Sequence, residues 1–146
     1  MSKSSSMHRR YQRLLREKNK ISRVEISTIP HHHQPYPTVG DWRFKEDGTL
    51  TINVSNMSDG RYEMLVAVHE LVEALLCRHR GITTEAVDEF DKAFEASRLP
   101  GDESEPGDHV DAPYRREHFF ATNIERLLAA ELGVDWATYD KEVNDL

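Results

Sequence analysis

Apolar and polar positions alternate through the stretch from Trp42 to Val54. Trp42 and Phe44 alternate with polar residues, Asp47-Gly48 supplies a turn, and Leu50, Ile52 and Val54 alternate with Thr51 and Asn53. This pattern predicts a hairpin over 41–55 with one buried face. Val24, Ile26 and Ile29 mark a shorter strand that Pro30 closes. Near Ser58 the period changes from 2 to 3.6. Residues 61–80 hold no Pro or Gly and are rich in Leu, Val, Ala, Glu and Met. They predict a helix capped near Ser58 or Asp59 and stopped at Gly81. Thr83 or Thr84 caps a second helix to about Ser97, Tyr114 to Leu132 reads as a third, and Asp135 to Val143 as a short last one. Between them, 98–113 is acidic and rich in Gly and Pro, and is expected to be a mobile loop.

The chain has 146 residues, and 38% are hydrophobic. That fits one domain with a modest core. No run of 18 apolar residues exists, so no membrane partner is expected. The single cysteine, Cys77, allows no internal disulfide and suggests a reducing, cytoplasmic setting. The formal net charge is −7, unevenly placed. Residues 1–23 carry eight Lys or Arg against Glu17, a balance of +7, which leaves −14 on the rest. The expected organisation is a basic flexible arm over 1–21 and one domain over 22–146. An acidic body disfavours nucleic acid, except through the basic arm 1–23, and suits cations.

The helix at 61–80 contains His69-Glu70-Leu71-Val72-Glu73. At ~100° per residue, His69 and Glu73 lie ~40° apart and Glu70 ~100° from His69. Between Met64 and Cys77 these three are the only polar residues. A helix apolar nearly all round is expected to be buried, and buried carboxylates need partners such as a metal ion.

This segment resembles the helix of the zincin metallopeptidases, whose motif is His-Glu-x-x-His. The order of elements is similar too: a hairpin strand, Thr49–Ser55, and then the helix. The resemblance covers roughly 41–80 and suggests a phage or bacterial protein. It implies a metal-dependent hydrolase acting on a peptide or protein substrate, with His69 and Glu73 as metal ligands and Glu70 as general base on a metal-bound water. One departure is plain: Glu73 stands where the motif has its second histidine. A carboxylate can ligate zinc, and it also admits manganese, iron or magnesium. By analogy with glutamate-type zincins, a third ligand is expected from a helix downstream. The helix at 114–132 offers His118 and Glu125, beside a stripe of Phe120, Ile124, Leu127, Leu128 and Leu132 expected to be buried. His118 is taken as the third ligand. His109, Asp111 and the run His31-His32-His33 are weaker candidates, because loop positions fix no geometry.

Two other readings stay open. Glu70-x-x-Glu73 with Asp88-x-x-Asp91 resembles the acidic pairs of all-α nucleoside-triphosphate pyrophosphohydrolases, which hold magnesium between two helices. Asp88, Asp91 and Glu95 share a face. The chain is alternatively a non-catalytic adaptor with a structural metal. The expected fold is α+β: a small antiparallel sheet packed on a central metal-site helix, with further helices around it.

Overall fold

The computed structural model describes residues 3–146; Met1 and Ser2 of the basic arm lie outside the described residues. The fold is α+β. Its elements are α1 (Lys3–Asn19), β1 (Arg23–Ile29), β2 (Gly40–Phe44), β3 (Thr49–Ser55), α2 (Gly60–Arg80), α3 (Thr84–Ala96), α4 (Arg115–Glu131) and α5 (Trp136–Asp145), with short 3-10 turns at His31–His33 and Pro106–Asp108.

The hairpin forms where its alternation and turn predict. Gly48 has φ +84°, and the Asp47 side chain accepts a hydrogen bond from the Thr49 amide at 2.9 Å. β2 and β3 pair antiparallel, with Trp42 opposite Ile52 and Phe44 opposite Leu50. The sheet is not wholly antiparallel, however. Its order is β1-β3-β2, and β1 joins β3 in parallel, with Val24 opposite Leu50. The chain leaves β1, crosses to the far edge to form β2, and returns as the central strand. Alternation records which face is buried but not which neighbour is paired.

α2 is the central helix. The Asp59 side chain caps it by accepting from the Arg61 amide at 2.8 Å, and Gly81 ends it in the left-handed region at φ 77°. The core lies between this helix and the sheet, where Leu50, Ile52, Val54, Leu65 and Cys77 are fully buried. Contrary to expectation, α2 is not covered all round: Met64 and Leu75 are exposed.

The buried face of α4 is turned from expectation: of the expected stripe, Ile124 and Leu128 are half-buried, Leu128 against the core. Glu117, His118, Ala121, Glu125 and Ala129 are buried, while Phe120, Leu127 and Leu132 are exposed. The reason is the partner helix. α2 and α4 run antiparallel and meet through three polar rungs: His69 with Glu125, Glu73 with His118, and Arg80 with Glu117. Buried polar groups must be paired, and each of these side chains finds a complementary one on the other helix of the pair.

The stretch expected as a mobile loop takes a docked course. Gly107 and Ala112 are buried, and the Asp108 carbonyl accepts from Arg115 Nε at 3.1 Å. The basic arm, by contrast, is a helix that packs little. Met7, Tyr11 and Leu14 are exposed, and Arg78 Nη2 donates to the Lys20 carbonyl at 3.4 Å. Deleting residues 1–20 should therefore leave the melting temperature within about 3 °C, because few apolar contacts are lost. A drop of 10 °C or more on thermal denaturation, on the order of several kcal/mol, would show that the arm is docked. No described helix is long and apolar enough to cross a membrane.

Candidate metal centre

One helical turn separates His69 from Glu73, so both side chains leave α2 on the side facing α4. His118 comes from the facing turn of α4. The three ligating atoms form a near-equilateral triangle. His69 Nε2 lies 3.3 Å from Glu73 Oε2; His118 Nδ1 lies 3.1 Å from the same oxygen and 3.1 Å from His69 Nε2. All three residues are buried.

Each inward-facing atom is backed from behind. The outer nitrogen of His69, Nδ1, meets Glu125 Oε2 at 2.7 Å, and Tyr139 donates its hydroxyl to the other oxygen of Glu125. Glu73 Oε1 accepts from the indole of Trp42 at 3.0 Å. The outer nitrogen of His118, Nε2, faces Glu105 Oε2 at 2.9 Å and Asp108 Oδ1 at 3.5 Å, without a well-formed hydrogen bond to either. A carboxylate behind a ligating imidazole fixes its tautomer and raises its basicity.

These residues fit a divalent ion. Bonds of about 2.0–2.1 Å in a tetrahedral shell place ligand atoms roughly 3.3–3.4 Å apart, so the observed triangle needs to open by only a few tenths of an ångström. Without an ion, charge is settled within the cluster. Burial lowers the pKa of His69, but Glu125 and Glu73 outweigh it and hold it well above the ordinary value. His118 is lifted to about 9 by Glu105 and Glu73, also against burial. Glu73 is held down to about 2 against its own burial, chiefly by His118 and His69.

Glu70 stands apart from the triangle but lines the same cavity, of about 380 Å³. Its carboxylate lies where strand β2 begins: a Cβ on Gly40 would sit 2.5 Å from Glu70 Oε1. Glycine at 40 is thus what lets the carboxylate lie against the strand. Burial, then the charge of Glu73, pushes its pKa well above the usual carboxylate range.

The alternative acidic pairs also reach this cavity, since Glu70, Glu73, Asp88 and Asp91 all line it. Three of the four are already engaged, Glu73 by the two histidines and Trp42 and the two aspartates by other partners. Asp88 accepts from Arg43 Nη2 at 2.6 Å, and Asp91 accepts from Tyr114 at 2.5 Å and from Tyr36 at 3.1 Å. Glu95 pairs with Arg98 at 2.7 Å. The weaker histidine candidates lie elsewhere: His31 contacts Ser55 Oγ at 2.9 Å, His32 and His33 are exposed, and His109 packs against Phe90 and Phe94.

Both third-ligand candidates come to the site, in different places: His118 joins the triangle and Glu125 stands behind His69. Sequence reasoning missed Trp42, Tyr139, Glu105, Gly40 and Gly107, whose backbone lies against the His118 ring. Only Pro106-Gly107 carried a local signal, that of a tight turn. No protein-family profile, curated protein or solved structure matches this chain.

Proposed function

We propose that this chain is a zincin-like, metal-dependent hydrolase acting on a peptide-like amide. The carrying observation is the pair of imidazoles, whose inner nitrogens converge with Glu73 while the outer ones face Glu125 and Glu105. A structural histidine needs one partner, whereas two rings aimed at one point and each backed by a carboxylate resemble a ligand set. Zinc is the ion favoured by two imidazoles and one carboxylate. The single buried cysteine suits a reducing, cytoplasmic setting.

When bound, the ion would polarise a substrate carbonyl and lower the pKa of water. The protein's own part is separable from that. His69, Glu73 and His118 hold the ion. Glu125, Trp42 and Glu105 orient those three. Glu70, outside the triangle and in the cavity, takes the proton from the attacking water and passes it to the leaving amine. Gly40 keeps that carboxylate against β2.

Metal analysis of the purified, dialysed protein should find one tightly held divalent ion per chain. Glu70→Gln should retain the ion and lower amide hydrolysis by about 10²–10⁴-fold, measured on a mixed peptide pool. His69→Ala should lose the ion held by the triangle and all turnover. Full activity in Glu70→Gln, or wild-type protein free of metal at micromolar zinc, would overturn the reading. An ion that stabilises the fold without any turnover would instead mark a structural site on an adaptor.

A further inference from the structure

The triangle uses only one nitrogen of His118. Its other nitrogen, Nε2, belongs to a residue 7% exposed and completes no hydrogen bond. It points at two carboxylates from the loop over the cavity, Glu105 Oε2 at 2.9 Å and Asp108 Oδ1 at 3.5 Å. The three donor atoms lie within 4.8 Å of one another. The loop is pressed onto the ring: a Cβ on Gly107 would sit 2.4 Å from His118 Cγ. Glycine there lets the backbone lie flat on the imidazole, with Glu105 and Asp108 on either side of the contact. Both carboxylates keep solvent access, with side chains 39% and 51% exposed, so an ion has a route in.

We propose that His118 Nε2, Glu105 and Asp108 form a second divalent-cation site, distinct from the inner one of His69 and Glu73. One imidazole nitrogen and two carboxylates suit zinc or manganese. The two positions share one ring. A neutral imidazole offers a lone pair on one nitrogen and a hydrogen on the other, so an ion on Nε2 withdraws Nδ1 from the inner ion. Filling the outer site therefore weakens the inner one, and the reverse holds by linkage. This competition rests on the inner centre proposed above; the outer site does not. Its partly exposed carboxylates make it the weaker of the two.

Calorimetric titration of the metal-free full chain with zinc alone tests this. Wild-type protein should take up two ions, the second at least about tenfold more weakly. Glu105→Gln/Asp108→Asn, two near-isosteric changes at partly exposed positions, should take up one, held by the triangle up to about 10–100-fold more weakly because Glu105 also backs His118. His69→Ala should also bind one, at the outer site; Glu73→Gln serves the same purpose if His69→Ala folds poorly. One ion in wild type that persists in Glu105→Gln/Asp108→Asn and is lost in His69→Ala would overturn the outer site and leave the inner centre standing. One ion that survives in His69→Ala but not in Glu105→Gln/Asp108→Asn would do the opposite. Two ions in Glu105→Gln/Asp108→Asn would also sink the proposal.

Discussion

Replacing Gly107 by alanine is expected to disrupt the site more than any other single-methyl change in this chain. The new methyl would lie 2.4 Å from the His118 ring, so either the loop lifts or the ring turns. Overpacking of this kind costs about 1–3 kcal/mol, or roughly 2–12 °C in melting temperature for a chain of this size. A turned ring moves Nδ1 away from Glu73 Oε2, now 3.1 Å distant, and zinc affinity should fall by about 10–100-fold. Gly60 is the matched control: it opens α2, and a methyl there meets nothing within 4 Å. Gly60→Ala should leave stability and affinity unchanged or slightly improved. Equal melting temperatures and equal zinc affinities for the two variants would contradict the close packing of loop on imidazole.

The second large effect is a pH dependence that metal should abolish. His69 and His118 are both raised above the ordinary histidine value. Their contribution to stability is complete below about pH 6.5, the unfolded value, and is lost as pH rises through the folded values, about 9 for His118. Asp41 and Asp91 act in the same direction. Burial raises them to about 6 and about 7, so the folded chain keeps protons that the unfolded chain gives up from about pH 4. Stability falls wherever the folded state binds more protons. Glu73, held near 2, acts oppositely, but only below about pH 4.5, its unfolded value. Metal-free protein should therefore be most stable at about pH 4.5 and lose stability as the pH rises from there to about 9. With saturating zinc the histidines bind the ion as neutral rings, affinity rises with pH, and the decline should flatten or reverse. Denaturant midpoints with and without zinc measure it. A metal-free midpoint that rises between pH 6 and 9 would show that the cluster does not hold these protons.

The elements from β1 onward were legible in the sequence, because period and caps are local, whereas α1 forms where a flexible arm was expected. Asp59, Thr83 and Gly81 bound their helices as the capping rules require. Which face of α4 turns inward was not legible. A helical wheel assumes that Phe120 and Leu127 go inside, and it cannot see that α2 carries His69 and Glu73 as partners for Glu125 and His118. The same blindness applies to the acidic loop. Its composition marks an irregular stretch, which is correct, but its docking depends on a missing Cβ at Gly107 meeting a ring eleven residues later. The candidate ligands were found because His69 and Glu73 interrupt an apolar helix. Trp42, Tyr139 and Glu105 were not, since each reaches the site from a separate element and its role exists only in three dimensions.

The parallel pairing of β1 with β3 has a consequence for how this chain assembles. β2 and β3 close on each other across the short turn at Asp47-Gly48, a search of microseconds. Arg23, by contrast, pairs with Thr49, 26 positions later (49 − 23). During synthesis β1 leaves the ribosome before its neighbour exists and must stay unpaired until residue 55 has emerged. Its apolar residues Val24 and Ile26 remain 43% and 45% exposed even in the finished sheet, so waiting in water costs this strand little. The strand made first is thus the one whose place in the sheet is filled last, and the loop-closure entropy of that late step falls on the edge rather than on the cavity wall formed by β2.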